Sequence, residues 1–430
     1  MENLQESQSK NWLQRLKDES WEAELLVSAI AIFAILKSFA ALDWLVIFFI
    51  DNLAPSQYGI GYFISVFGYM AIGILATMFT IHFALRAYWI GLVGLNSVFP
   101  DYGLEDSAYS PIYTKKILSV LPKVTQSISK IDELCSVIFS AAFAFMMIYF
   151  YATVASSLFL LLFNMLKDFL PLWLLFVPVA LLVLIFVFGT LISIPANLKK
   201  FHGNKTIQHL YFLYARWGAL IMYGPLHKSV LQITMLFGSN FKKKKGLVKM
   251  VLFMLLIGII FGATRMFESN FGYLLTHSRA QDLTKLNPSF FAQNNLEENF
   301  LLTPEMNSDV LTASTIKLFI PLLKHEIKLL KNSCEIEESD RVSNKDEEEA
   351  SLIRKTYLNC YQNQNRVFID GKPVQINFLK TNHERTGQYG ILGYMNIDTL
   401  KKGQHQLHIR KTLGKENIKE WFIPFYYGSK

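Results

Sequence analysis

Five long apolar segments fill most of the first two thirds of the chain and largely decide what it can fold into. They all end before Phe267 and cover about 25–45, 58–85, 135–162, 170–194 and 247–263. A helix needs about 20 consecutive apolar residues to cross a bilayer, and a water-soluble fold of this length has no interior for several such segments. The sequence therefore predicts an α-helical integral membrane bundle of about five transmembrane helices over 25–266.

The charge of the loop at 196–246 predicts the orientation of this bundle. The loop has nine Lys and Arg residues and neither Asp nor Glu. Short loops rich in basic residues remain in the cytoplasm, so this loop is expected there. By alternation, the N-terminal segment 1–24 and the loop 86–133 are also cytoplasmic. The region 267–430 is then extracytoplasmic, and the expected location is the cell's inner membrane.

One segment leaves the number of crossings open. Residues 209–237 include an apolar stretch, but Arg216 lies in its middle and Gly224 and Pro225 interrupt it. A central Arg costs about 2.5–3.5 kcal/mol on insertion scales, which favours an interfacial or re-entrant helix over a spanning one. A spanning helix here would move the C-terminal region into the cytoplasm.

Basic residues next to the spans predict contact with membrane lipid. The formal net charge is +8 at pH 7, and anionic lipid and orientation account for it because the basic residues are concentrated beside apolar segments. Nucleic acid is therefore not an expected partner. The segment 1–24 is predicted to be amphipathic, and the sequence leaves open whether it lies along the headgroups or is an ordinary solvated helix start. The predicted cytoplasmic anionic-lipid patch consists of Lys199, Lys200, Lys242, Lys243, Lys244 and Lys245.

Four ionisable residues interrupt or close the apolar segments and are candidates for an intramembrane polar path. They are Lys37 and Asp43 in the first segment, and His82 and Arg86 at the end of the second. Charges at membrane depth usually face a protein interior or a water-filled cavity. The structural interpretation is favoured, because long basic side chains near helix ends extend to the interface without serving transport.

The region 267–430 predicts a soluble α+β domain with an antiparallel β-sheet or small β-sandwich, rich in strands from about 365. Apolar and polar residues alternate around Leu407 and Ile409, as they do in half-buried strands. Asp370 and Gly371 predict a tight hairpin turn. Alternation from Val374 to Phe378 predicts a strand after that turn.

A further strand is predicted at Thr315–Ile320, ahead of the strand-rich part of the domain. A helix is predicted to follow it, with Pro321 in its first turn, since proline is tolerated there. Cys334 and Cys360 are both assigned to the extracytoplasmic side, where an oxidising environment favours a disulfide between them.

The sequence contains no strong catalytic signature, so no catalytic residue, cofactor or metal is predicted. His325 and Glu326 begin like a zinc-protease helix, but Leu329 occupies the position of the second His ligand. The leading hypothesis is a non-enzymatic membrane protein that anchors or assembles an envelope complex. Its β-rich domain would bind a partner, and a protein partner or a homo-oligomer is expected. A channel or transporter subunit is the alternative, and a membrane-embedded enzyme with scattered acid and base residues is third.

Overall fold

The computed structural model describes residues 2–100, 109–166, 169–241, 245–276, 287–294, 300–333, 347–413 and 417–428. The chain divides into two compact units. Met1–Leu42 and Phe63–Ser269 form the first, which we call the helical unit. Asp43–Tyr62 and Asn270–Lys430 form the second, which we call the β unit. The turn between the first two long helices thus belongs to the β unit.

Twelve α-helices lie in the described part of the chain, and the longest belong to the apolar segments. In chain order they are α1 (Glu2–Asn52), α2 (Tyr58–Val98), α3 (Pro111–Val120), α4 (Val124–Leu166), α5 (Leu172–Leu175), α6 (Val177–Asn197), α7 (Lys205–Tyr223), α8 (His227–Phe241), α9 (Lys245–Glu268), α10 (Tyr273–Thr276), α11 (Lys324–Ser333) and α12 (Glu347–Gln364).

The five predicted membrane spans are confirmed as helices that are long and apolar enough to cross a bilayer. In the described chain these helices are Ser20–Asn52, Pro55–Val98, Pro111–Phe163, Val177–Asn197 and Val251–Glu268. Several extend well beyond the apolar segments. The helix α2 has 41 residues and α4 has 43, or about 60 Å at 1.5 Å per residue, twice the thickness of a hydrocarbon core.

The segment 209–237 lies in two helices, α7 and α8, and not in one continuous helix. A 3-10 turn at Gly224–Leu226 separates them, and Gly224 has a φ of +49°. A side chain is strained at that φ, and Pro225 supplies no backbone N–H, so a continuous helix cannot pass through these residues. Neither helix is among the five that are long and apolar enough to cross a bilayer in the described chain.

Three glycines bring α2 and α9 into backbone contact within the helical unit. A Cβ atom on Gly73 would lie 2.6 Å from the backbone nitrogen of Gly262. One on Gly258 would lie 2.9 Å from the nitrogen of Ile74 and 3.0 Å from the carbonyl oxygen of Gly73. Gly258 and Gly262 are four residues apart, the small-residue spacing that allows membrane helices to approach closely. No larger residue fits at this crossing.

The described residues of the β unit form nine strands in two sheets, which fits the small β-sandwich of the two predicted arrangements. The four-stranded sheet has the order β1-β3-β7-β6 and the five-stranded sheet the order β2-β9-β8-β4-β5. All pairs are antiparallel except β2 with β9. The strands are β1 (Glu305–Met306), β2 (Val310–Leu311), β3 (Thr315–Pro321), β4 (Asn365–Ile369), β5 (Lys372–Val374), β6 (Leu379–Asn382), β7 (Tyr389–Asn396), β8 (Gly403–Leu413) and β9 (Asn417–Tyr427).

One continuous core fills the space between the two sheets. Ile316, Leu318 and Ile320 of β3 belong to it, as do Leu407 and Ile409 of β8. Each set alternates with residues on the outer face of its sheet, because successive side chains of a strand point to opposite sides. The period-two patterns read from the sequence therefore identify the buried faces.

The hairpin predicted at Asp370 and Gly371 is confirmed, one neighbouring prediction is wrong, and another holds only in part. Asp370 and Gly371 have φ angles of 49° and 76° and join β4 to β5, as a two-residue hairpin turn requires. Pro321 is the last residue of β3 and pairs with Gly390, and α11 begins only at Lys324, so Pro321 does not lie in the first turn of that helix. The strand predicted to hold Val374 is present as β5 but ends at that residue, and residues 375–378 form no strand, although Ile376 is buried in the core.

Candidate functional site

The structure places two of the four predicted intramembrane residues in one charged cluster, which we call the α1–α2–α4 cluster. Arg86 is 1% exposed and its Nη1 lies 2.7 Å from Oδ1 of Asp132. Its Nη2 contacts the Glu24 carboxylate. His82 Nε2 lies 3.6 Å from the same Glu24 oxygen. One buried cation on α2 is thereby matched by carboxylates from α1 and α4.

Polar and aromatic groups hold the members of this cluster in position. Ser28 Oγ donates to the carbonyl oxygen of Glu24 at 2.7 Å and lies 2.7 Å from His82 Nδ1. The Arg86 guanidinium carbon lies 5.1 Å from the ring centroid of Trp89. Buried ion pairs commonly fix the register of packed elements, and removing one partner is strongly destabilising. The arrangement is suited to setting the packing of α1, α2 and α4.

The other two predicted residues are not part of this cluster. Lys37 is exposed on α1 and Asp43 is half-buried. Six residues along one helix place two side chains about 120° apart, so these two residues point to different sides of α1. The polar path through Lys37, Asp43, His82 and Arg86 stays a prediction. Glu24 and Asp132 were not predicted, although both lie near an end of an apolar segment, as Arg86 does.

The remaining predicted sites lie partly outside the described residues. Lys199 and Lys200 are exposed in the 3-10 turn Lys199–Phe201. Lys242, Lys243 and Lys244 lie outside the described residues, and Lys245 begins α9. The anionic-lipid patch therefore stays a prediction. Cys334 also lies outside the described residues, so the predicted disulfide with Cys360 of α12 stays a prediction too.

The β unit contains a second buried ionic network, built around Glu326 of α11. Lys411 of β8 and Lys419 of β9 are register partners on neighbouring strands. Lys411 Nζ donates to Glu326 Oε2 at 2.5 Å and to the carbonyl oxygen of Pro321 at 2.8 Å. Lys419 Nζ donates to Glu326 Oε1 at 3.0 Å. Both side chains of the Lys411–Glu326 pair are 2% exposed, whereas Lys419 is 13% exposed.

The charges of the two lysines control the ionisation of Glu326. Burial by itself would raise the pKa of this carboxyl group, but the positive charges of Lys411 and Lys419 outweigh burial and lower the pKa to about 2. Glu326 is therefore ionised throughout the neutral range. One carboxylate balances two cations in this network. Loss of the carboxylate would therefore leave the buried charge of Lys411 without a counter-ion.

The start of α11 is also tied to the turn between α1 and α2, within the β unit. The Lys324 backbone N–H donates to Asp51 Oδ1 at 2.9 Å, and Lys324 Nζ lies 3.0 Å from Asp51 Oδ2. His325 Nδ1 lies 3.2 Å from the Asp51 carbonyl oxygen. The orphan N–H groups of a helix start favour a carboxylate there. His325 and Glu326, which resemble half of a zinc motif in sequence, thus take part in this packing.

An open pocket of about 280 Å³ lies on the outer side of the four-stranded sheet. We call it the Glu305 pocket. Its wall is formed partly by β1 and β3 and partly by the loop 383–388, which connects β6 to β7. The side chains that matter for its chemistry are Glu305, Lys317, Phe319, His383, Arg385 and Leu392.

Glu305 holds the loop side of this pocket in place. It is 4% exposed, and its Oε2 accepts a hydrogen bond from Arg385 Nη2 at 2.5 Å. Its Oε1 lies 2.9 Å from His383 Nε2. The His383 ring packs on Phe319 with ring centroids 4.7 Å apart. One buried carboxylate therefore positions a guanidinium and an imidazole at the edge of the pocket, an arrangement suited to binding.

Comparison with known proteins adds no relative to this description. No protein-family model, curated protein or solved structure matches the chain. The case for any function therefore rests on the geometry of the two units.

Proposed function

We propose that the chain is a non-enzymatic membrane protein whose helical unit anchors a β unit that binds a partner, as part of an envelope complex. The observation that carries this proposal is the Glu305 pocket. It is open and contains charged side chains that a buried carboxylate positions. Concave sites with a few fixed polar groups among apolar walls are the usual form of binding sites.

The helical unit gives less support to a transport function. Arg86, the buried cation among its predicted polar residues, contacts carboxylates of two neighbouring helices. Matched charges of this kind favour a packing role over a path for ions. Lys37 is exposed on the outside of α1, where a long basic side chain can extend to the interface.

We also propose that the β unit is extracytoplasmic. The turn at Asp51 and the strands share one compact unit, which favours the same side of the membrane for both. Four candidate spans lie between the end of that turn and Asn270 in the described chain, and an even number of crossings is compatible with this placement. The lysine-rich loop then remains cytoplasmic, in keeping with the positive-inside rule.

The orientation is tested with reporters fused after the last strand. Alkaline phosphatase, which is active only outside the cytoplasm, is expected to be active there, and a green fluorescent protein fusion at the same position is expected to be dark. Fusions after α2 serve as the control and are expected to give the reverse pattern, because that helix ends in the predicted cytoplasmic loop. A fluorescent C-terminal fusion would contradict the proposal.

Partner binding is tested by site-specific photo-crosslinking of the full chain in its native membrane. Tyr394 lies on the four-stranded sheet and is 54% exposed, whereas Tyr426 lies on the five-stranded sheet and is 50% exposed. Benzoylphenylalanine at 394 is expected to yield one defined adduct, identified by mass spectrometry. The same group at 426 is the control for random collision. Equal products from both positions, or none from 394, would count against a partner on this face.

A further inference from the structure

We infer that the Glu305 pocket binds a carboxylate group carried on a short apolar stem. This inference rests on the proposed function, because it names the chemistry of the ligand that the β unit would bind. Three features of the pocket support it, namely the loop that presents Arg385, the ion pair at the pocket edge and the apolar part of the wall.

Hydrogen bonds within the loop 383–388 and from it to Leu301 fix its conformation. The His383 backbone N–H donates to the Gln388 carbonyl oxygen at 2.8 Å, and the Gly387 N–H donates to the His383 carbonyl oxygen at 2.9 Å. Gly387 has a φ of +67°, a conformation that favours glycine. The Gln388 side chain donates to the carbonyl oxygen of Leu301 at 3.0 Å. Arg385 is thus held in place at the pocket, and a fixed side chain lowers the entropic cost of binding.

Arg385 and Lys317 place two positive charges on the pocket wall. The buried Glu305 accepts a hydrogen bond from Arg385 and lies within hydrogen-bond distance of His383. Glu305 already balances the charge of Arg385, so the 43% exposed Lys317 is the cation that an incoming anion can reach.

The ion pair between Lys317 and Glu384 indicates what that anion is. Lys317 Nζ lies 3.4 Å from Glu384 Oε1, and their side chains are 43% and 87% exposed. Exposed pairs of this kind contribute at most about 1 kcal/mol, so an incoming carboxylate can replace Glu384 at small cost. Glu384 lies on the pocket wall, and its carboxylate occupies the position beside Lys317 that we assign to the carboxylate of the ligand.

The apolar part of the wall limits what carries the carboxylate. Phe319 and Leu392 lie on neighbouring strands and are register partners. The pocket volume of about 280 Å³ is at the lower end of the range for small-molecule sites. Asn307 and Asn382 supply amide groups at its edge. A carboxylate with one apolar side chain fits this wall, and either the last residue of a peptide or a short fatty acid provides that chemistry.

The test uses the full chain in nanodiscs, with empty nanodiscs as the blank, and three probes. N-acetyl-leucine represents a peptide end, hexanoate a fatty acid, and N-acetyl-leucinamide has the same stem as the first probe without the charge. At least one of the two carboxylates is expected to bind at least tenfold more tightly than the amide, as measured by saturation-transfer NMR titration. Which carboxylate binds more tightly identifies the source of the ligand.

Two exposed substitutions make the result specific to the pocket. Lys317→Gln is expected to weaken carboxylate binding by about two- to fivefold, because Lys317 is 43% exposed and an ion pair at such a position contributes little. Glu384→Gln is expected to strengthen it by about two- to fivefold, because the competing anion is gone. Both positions are partly or largely exposed, so the fold is expected to survive both changes.

Several outcomes would overturn the inference while leaving the proposed function intact. Equal affinity for N-acetyl-leucine and its amide would show that the charge is not recognised, and weaker carboxylate binding by Glu384→Gln would show that this residue is not a competitor. Failure of every probe to bind the wild-type chain would reject this ligand chemistry. The crosslink at position 394 tests the proposed function independently of these three probes.

Discussion

Replacing Glu326 with Gln is expected to lower the local unfolding free energy of β8 and β9 by about 3–5 kcal/mol. The substitution removes one negative charge and leaves the ammonium group of Lys411 buried at 2% exposure. Gln retains an oxygen that can accept the Leu323 N–H hydrogen bond, which Glu326 accepts at 3.2 Å. The substitution therefore removes the charge while it keeps the side-chain cap at the start of α11. Amide hydrogen exchange of the full-length protein, resolved by mass spectrometry, measures the effect strand by strand.

A matched control and a second-site change complete this experiment. Glu420→Gln makes the same substitution on β9 at a side chain that is 41% exposed, and we expect a loss below about 1 kcal/mol. Adding Lys411→Met to Glu326→Gln removes the stranded charge and is expected to restore most of the stability. Similar losses for Glu326→Gln and Glu420→Gln, or no recovery in the double variant, would show that the buried network is not what stabilises these strands.

The membrane spans were predictable because their signal is local. An apolar segment of about 20 residues specifies a bilayer-crossing helix almost regardless of its neighbours. The helix ends were less predictable. The helix α4 begins at Val124, well before the apolar segment near 135, since polar residues extend a helix that packing already stabilises. The break at Gly224 was predictable for a local reason too, because Gly224 and Pro225 are adjacent and both disfavour a continuous helix.

The buried networks depend on register between distant elements, which the sequence does not display. The period-two pattern of β8 nonetheless gave a usable signal. Leu407 and Ile409 face the core, so Lys411 must face it as well, and a buried lysine requires an acidic partner. The identity of that partner, Glu326, depends on how α11 packs against the sheet. The same holds for Arg86, whose partners Glu24 and Asp132 lie 62 and 46 residues away.

The Glu305 pocket was not predicted for a related reason. Glu305 and Arg385 are 80 residues apart, and neither belongs to a motif with a recognisable spacing. The strand β1, which carries Glu305, has only two residues, too few to show a period. Such a site becomes visible only when the β6–β7 loop is seen folded against β1.

Replacing Gly258 with Leu is expected to destabilise the helical unit by about 3 kcal/mol or more, the upper part of the range for overpacked sites. The obstacle is the Cβ atom itself, which would lie 2.9 Å from the nitrogen of Ile74 and 3.0 Å from the oxygen of Gly73. No rotamer relieves that contact, because rotation about χ1 does not move Cβ. The helices α2 and α9 would have to separate. Thermal unfolding in detergent micelles, followed by tryptophan fluorescence, measures the loss.

Gly91→Leu provides the matched control, since Gly91 lies on α2 and a Cβ placed there meets nothing within 4 Å among the described residues beyond its own turn of helix. Leucine favours a helix over glycine by roughly 0.5–1 kcal/mol, so this variant is expected to unfold at the wild-type temperature or slightly above it. Gly258→Ala should fall between Gly258→Leu and the wild type, because it adds the clashing Cβ but no further bulk. If Gly258→Leu and Gly91→Leu unfold together, then close backbone contact between α2 and α9 does not hold this unit together. In that event the contacts of Arg86 with Glu24 and Asp132 would be the next candidate for what holds the helices of this unit together.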